Sequence, residues 1–347
     1  MKLKNLNRFL VVASVVFFVQ VAADAKTWKV SNWSGWNSES YFAYAMNNAS
    51  DGDIIEITQN LTVNSDIQVY KDVTVRSAEN NTYKITNKGR YYICNIHPGG
   101  KLTLTNIVVD CESYNKRVED LFNLNEMEIE TSRNGSATTN IARMVLQNGA
   151  VIQNVYLSSN SRTENAAIHV KKGAVLRIQE GAMIKNCNNQ SVPGKGGAIC
   201  CDYGTIIMTG GTITGCKSKS NGGAIHTDGQ RIDAPEIEGV SARGDIYISG
   251  GYITNNTCAS GKYGGAIYLG NSGPMIHITG SPIISNNVTA AGIKDDISTF
   301  ELKNEWANRL KLTGHSDVNP TGFTTNGIAF TGWVGVRYPD SSKEPNP

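Results

Sequence analysis

From residue 165 onward the chain is a repeating alternation of apolar and polar positions, cut into pieces of three to five residues. Four segments align, beginning Ala166-Ala167-Ile168, Gly197-Ala198-Ile199, Gly223-Ala224-Ile225 and Gly265-Ala266-Ile267, with successive isoleucines 31, 26 and 42 residues apart. The long interval holds a charged stretch at Gln230–Arg243, read as a protruding loop. Each repeat contains three short strand-like pieces separated by Gly-Gly or Asn-rich corners, for example Ala198–Asp202, Thr205–Thr209 and Thr212–Thr214. Pieces this short cannot pair as hairpins at these spacings. Stacked on their equivalents in the next coil, they satisfy every backbone group.

Period-two alternation supplies the test. Ile168, Ile199, Ile225 and Ile267 form one inward column, and His169, Cys200, His226 and Tyr268 form the outward column beside it. In the second strand Leu176, Ile206, Ile246 and Ile276 point inward, while Arg177, Ile207, Tyr247 and His277 point out. The third strand places Ile184, Ile213, Ile253 and Ile284 inside. The prediction is an all-β fold, a single-stranded right-handed parallel β-helix with three short strands per coil. Three residues after each third-strand isoleucine comes a corner column of Cys187, Cys216, Asn256 and Asn287. Asn tolerates left-handed backbone and can form a ladder. Cys187 and Cys216 would lie on neighbouring coils, as a disulfide or as two free buried thiols.

The N-terminal half repeats more loosely, with strands expected at Ile54–Ile57, Thr62–Val69, Val73–Arg76, Tyr91–Ile96, Lys101–Val109, Met144–Leu146 and Val151–Leu157. Ser38–Ala49 reads as a short amphipathic helix with Phe42, Ala45, Met46 and Ala49 on one face, capping the open end of the stack. Arg117–Ala137 breaks the pattern and reads as a loop or short helix, and Arg309–Leu312 and Ile328–Val336 read as closing strands.

Composition adds a compartment. Basic Lys2, Lys4 and Arg8 precede a run from Phe9 to Ala23 that is apolar apart from Ser14 and Gln20, and Ala23-Asp24-Ala25 follows as a small-x-small cleavage pattern. Residues 1–25 are therefore expected to be a cleaved signal peptide, with no transmembrane segment afterwards and a secreted or cell-surface location. The remaining chain divides into a cap segment at 26–52, a β-helix at 53–338 and a tail or linker at 339–347. Cleavage removes three of the 32 basic residues and one of the 30 acidic ones, leaving 29 of each. That balance points away from nucleic acid. The seven cysteines match no zinc spacing.

The Gly-Gly-Ala-Ile segments, with Ile253-Thr254-Asn255-Asn256 and Ile284-Ser285-Asn286-Asn287 in the place of Phe-x-x-Asn, resemble the repeats of polymorphic outer membrane proteins and related bacterial adhesin-like proteins. These belong to the wider pectate-lyase-like β-helix group. The resemblance covers about residues 165–287 and implies fold and export. The autotransported members end in a large membrane barrel, and none is expected within these 347 residues.

Chemistry concentrates in two outward columns. One carries Lys171, Asp202 and Asp228; the other carries His169, Cys200 and His226. Lyases of the group place a basic residue near calcium-binding carboxylates, so Lys171, Asp202 and Asp228 are the catalytic candidates under that reading, with Asp202 and Asp228 as Ca²⁺ ligands. No cofactor is otherwise expected. Imidazole and thiolate could instead take a transition metal, or the patch is plain surface. Asp295-Asp296 is read as a solvated turn. Trp28, Trp33, Trp36, Tyr41 and Tyr44 are read as packing on the cap helix, while Tyr247, Tyr252, Tyr263 and Tyr268 suggest a carbohydrate or protein surface, with Tyr247, Tyr268, His169 and His226 as ligand-binding candidates. The expected function is a non-enzymatic, adhesin-like scaffold whose partners are extracellular glycans or surface proteins. The alternatives are a polysaccharide lyase or glycoside hydrolase, and a stalk of a larger surface protein.

Overall fold

The computed structural model describes residues 25–31 and 38–300, apart from residues 65, 115–116, 133–136, 160–164, 193, 229–235, 238–239, 242–244 and 271–273, together with strands at Leu310–Leu312, Phe323–Thr325, Ile328–Phe330 and Val334–Arg337. Residues 1–24 of the expected signal peptide, the tail, Trp33 and Trp36 lie outside the described residues. No described helix is long and apolar enough to cross a membrane.

The strands stack in parallel into long sheets of ten, nine and eight strands, and the chain visits them in turn on each coil. This is a parallel β-helix. The predicted columns are the observed registers. Ile168, Ile199, Ile225, Ile267 and Ile297 are successive partners in the nine-stranded sheet. Leu176, Ile206, Ile246 and Ile276 align in the ten-stranded sheet. Ile152, Ile184, Ile213, Ile253 and Ile284 align in the eight-stranded one. Their side chains merge into one core cluster that runs from Val30 to Ile297.

Three strands per coil is an undercount. A fourth, five-stranded sheet stacks the two-residue pieces Tyr156–Leu157, Asn188–Asn189, Lys217–Ser218, Thr257–Cys258 and Val288–Thr289. The turn into it is left-handed at Asn154, Asn186, Gly215, Asn255 and Asn286, with φ between 55° and 66°. The residue after each of these turns inward, so Cys187, Cys216, Asn256 and Asn287 are all buried. The left-handed position thus precedes the ladder position rather than coinciding with it. Cys187 and Cys216 are free thiols, as are the other five cysteines.

The Gly-Gly-Ala-Ile motif has a steric reading. The first glycine sits at positive φ, 73° at Gly196 and 69° at Gly222. The second is pressed against the next coil: a Cβ on Gly223 would lie 2.0 Å from the carbonyl oxygen of Gly265. The alanine is fully buried, and the isoleucine enters the core.

At the N-terminus Thr27–Val30 adds an outermost strand to the ten-stranded sheet, paired with Asp53–Ile57. The helix spans Ser38–Asn48 and lies against these strands and against Leu61–Thr62 and Ile67–Val69. Phe42, Ala45, Met46 and Ala49 are buried, as the spacing predicts. Trp28 meets Tyr44 edge-on at 6.1 Å, and Tyr41 stacks on Tyr44 at 6.4 Å.

Residues 117–137 are neither loop nor helix throughout. Phe122–Leu124 joins the nine-stranded sheet, and Glu128–Thr131 forms an antiparallel hairpin with Ala137–Asn140. A second hairpin, Glu236–Ile237 with Val240–Ser241, lies in the Gln230–Arg243 insertion. Both leave the coil at the same corner, between the nine- and ten-stranded sheets.

Candidate functional site

The outer side of the nine-stranded sheet carries two aligned columns of hydrogen-bonding side chains. The first runs Gln68, Asn95, Asn123, His169, Cys200, His226, Tyr268 and Ser298. The second, two residues further along each strand, runs Tyr70, His97, Asn125, Lys171, Asp202, Asp228 and Gly270. Stacking brings equivalent atoms to adjacent rungs about 4.8 Å apart. Neighbouring side chains therefore bond along the column. Asn123 Nδ2 donates to Asn95 Oδ1 at 2.7 Å and to Asn125 Oδ1 at 2.8 Å, and Asn95 Nδ2 donates to Gln68 Oε1 at 3.1 Å. His97 Nε2 bonds the same Gln68 oxygen at 2.7 Å, and its ring stacks on Tyr70 with centroids 4.1 Å apart. Tyr70 is 58% exposed.

Further along, the first column is covered. His169, Cys200, His226 and Tyr268 are 7%, 0%, 5% and 4% exposed. The expectation of an open surface there is corrected: these side chains point away from the core yet are buried, because corner segments of the coils fold over them. Asp120 enters from the segment before Phe122. Its Oδ2 lies 3.2 Å from His169 Nδ1, and its Oδ1 accepts the Ala166 N–H at 2.7 Å. On the other side of the imidazole, Nε2 lies 3.0 Å from Asp202 Oδ2, and Cys200 Sγ donates to that oxygen at 3.5 Å.

Lys195, in the corner preceding Gly196, completes the group. Its ammonium lies 3.6 Å from Asp202 Oδ1 and 3.0 Å from Asp228 Oδ2. The residues singled out by the alternation pattern are thus partly brought together. His169, Asp202 and Asp228 share one network, but the basic residue joining the carboxylates is Lys195. Lys171 stands half-buried in register with Asp202. A Ca²⁺ ion bridging Asp202 and Asp228 would have to displace the Lys195 ammonium, so these residues do not fit calcium as they stand. Lys195 and Asp120 escape an alternation-based reading because both lie in corners ahead of the strands, Asp120 two residues before Phe122 as Asp295 lies two before Ile297. His226 tilts against Tyr268 at 5.1 Å, and its Nε2 makes no hydrogen bond, the nearest carboxylate oxygen being Asp228 Oδ2 at 3.9 Å.

The electrostatics follow from burial and neighbours. Burial works against a charge on His169, but the Cys200 sulfur and the Asp120 and Asp202 carboxylates outweigh it and hold the imidazole well above its usual pKa. Burial pushes the Cys200 thiol up to about 12 despite the pull of His169. Burial also works to raise Asp228, yet His226 and Lys195 win and hold it well below the usual carboxylate range. The group thus sets one imidazole between the Asp120 and Asp202 side chains, with the thiol of Cys200 against Asp202 and the Lys195 side chain between Asp202 and Asp228.

The four tyrosines do not form one face. Tyr247 lies on the outer side of the ten-stranded sheet, stacked on His277 at 4.5 Å and packed with Ile141, Val175, Ile207 and Met127 at the base of the first hairpin. Tyr252 is exposed on the eight-stranded sheet, Tyr263 lies in a corner, and Tyr268 is buried. Asp295 and Asp296 are likewise not a solvated turn. Both are buried, with Asp295 accepting from Gly264 N–H at 2.7 Å and Ser298 Oγ at 2.6 Å, and Asp296 accepting from Asn287 Nδ2 at 2.6 Å.

Among known proteins, no family model matches the chain and no curated protein matches it.

Proposed function

We propose that this protein is an exported or surface-associated scaffold that binds extended glycan chains along the outer face of its nine-stranded sheet, without cleaving them. The observation that carries this reading is the paired column running from Tyr70 and Gln68 through the Asn and His side chains to Asp228. An exposed aromatic ring offers a stacking platform for the apolar face of a sugar. Amides and carboxylates held at a fixed step offer donors and acceptors for hydroxyl groups. A row with a regular step suits a polymer with a regular repeat. The adhesin-like resemblance and the leader-like N-terminus point the same way, toward an extracellular ligand. Hairpins rising from the corner beside the second column add loop surface to the edge of the face, where recognition residues are commonly found. The acidic and basic groups of the network pair with one another, His169 with Asp120 and Asp202 and Lys195 with Asp202 and Asp228, which favours holding a ligand over cleaving it.

The test is a glycan array with the purified chain, followed by affinity measurements and mass analysis of the ligands afterwards. The expected result is polysaccharide binding without new oligosaccharides, weakened at least tenfold by Tyr70→Ala with Asn125→Ala. Tyr252→Ala, exposed on another sheet, leaves it unchanged. Oligosaccharide release that disappears in Asp202→Ala/Asp228→Ala would replace this reading with a lyase or hydrolase. Binding indifferent to the Tyr70 and Asn125 changes would move the site off this face.

A further inference from the structure

The buried group around His169 has a second property, independent of any glycan. His169, Cys200 and Asp202 each offer one donor atom, and these three atoms lie within 4.8 Å of one another. Around a tetrahedral Zn²⁺, with Zn–N and Zn–O near 2.0–2.1 Å and Zn–S near 2.3 Å, ligand atoms stand roughly 3.3–3.8 Å apart. The present separations of 3.0 Å for His169 Nε2 to Asp202 Oδ2 and 3.5 Å for Cys200 Sγ to the same oxygen bracket the lower part of that range. Small side-chain adjustments would open the centre.

The surroundings are those of a metal ligand set. The ring nitrogen of His169 that would face away from the ion is the one beside Asp120, at 3.2 Å. A carboxylate there fixes the tautomer and ring orientation of a metal-bound imidazole. Asp202 presents Oδ2 to His169 and Cys200 and turns Oδ1 to Lys195, so one oxygen is directed at the site while the other is held by a cation. His226, one rung beyond Cys200 in the same column, is a further buried imidazole whose Nε2 makes no hydrogen bond.

We propose that His169 Nε2, Cys200 Sγ and Asp202 Oδ2 are the protein ligands of a zinc-class divalent ion, with Asp120 as the positioning residue behind His169. Imidazole with thiolate selects borderline and soft ions over Ca²⁺ or Mg²⁺. The ligating forms are a neutral imidazole and a thiolate, so binding releases protons and weakens as pH falls. The ion would tie Asp120, Phe122–Leu124, Ile168–Val170 and Ile199–Asp202 together across three rungs.

The test uses the purified chain, stripped with a chelator and dialysed, in the absence of glycan. Zn²⁺ titration by calorimetry and Co²⁺ titration by absorption should each saturate at one ion per chain, and the Co²⁺ form should show a thiolate-to-metal charge-transfer band. Cys200→Ser abolishes that band, and His169→Gln lowers affinity at least a hundredfold. Asp120→Asn lowers affinity ten- to a hundredfold while the band persists, which a merely structural role would not produce. Two results would overturn the proposal: no charge-transfer band in the unmodified chain, which needs no variant to fold, or a band that survives Cys200→Ser and so belongs to another thiol. Neither bears on glycan binding, which is read separately.

Discussion

At the scale of single residues, burial separates groups that look alike in the sequence. Asp295 and Asp296 are adjacent carboxylates. Burial, aided by Asp296 and opposed by the bonds from Ser298 and Gly264, raises Asp295 to about 6. The unfolded chain releases this proton near pH 4, while the folded chain keeps it until about pH 6. Stability from this group is therefore complete below about pH 4 and is lost as pH rises through 6. Asp295→Asn should remove that loss, gaining on the order of 2 kcal/mol over the parent at pH 7.5 and little at pH 4. Urea midpoints of the two proteins at both pH values check it, and a difference that does not vary with pH would be the contrary result. Such residues were hard to read beforehand. Alternation tells which way a strand residue points, and Asp295 and Asp296 fall in the corner ahead of the strand Ile297–Phe300, where alternation is silent.

At the scale of elements, the inward columns were fully legible. Leu176, Ile206, Ile246 and Ile276 repeat in type and at period two, and only stacking satisfies both. The two-residue strands of the fourth sheet are too short for any period to register. The ladder they adjoin is a polar seam within the apolar stack. Asn287 Oδ1 accepts from Asn256 N–H and Nδ2, each at 2.9 Å, and its own amide donates to Ile253 O at 2.9 Å and Asp296 Oδ1 at 2.6 Å. Asn287→Ala removes these four buried bonds and should cost roughly 2–4 kcal/mol. Asn286→Gly, at φ 59°, should change stability by less than about 1 kcal/mol, since glycine accepts that conformation freely. Denaturant melts of the pair check this; equal effects would mean that the ladder contributes no more than the turn. The candidate site divided along the same line. His169, Asp202 and Asp228 stood out because they belong to strands. Lys195 and Asp120, which decide what those residues can do, come from corners, where alternation is silent.

At the scale of the molecule, each coil rests only on its neighbours, so the ends govern access to the whole. The helix Ser38–Asn48 covers the first coil, with Phe42 buried in the core. Phe42→Ala should cost about 3–4 kcal/mol and uncover a strand edge able to pair with another chain. Light scattering after size exclusion should then show a larger species, and a variant with unchanged elution and melting temperature would contradict the capping role.

The shared corner of the two hairpins has a consequence of its own. Between Asp202 and Thr205 the chain passes from the nine- to the ten-stranded sheet in two residues, whereas between Asp228 and Ile246 it spends seventeen. Even so, Asp202 still pairs with Asp228 and Ile206 with Ile246. Coil length at this corner is uncoupled from strand register. New sequence can be spliced in there, rung by rung, without disturbing the scaffold. Diversity in what the face meets can therefore accumulate as exchangeable excursions, while the interior is inherited unaltered.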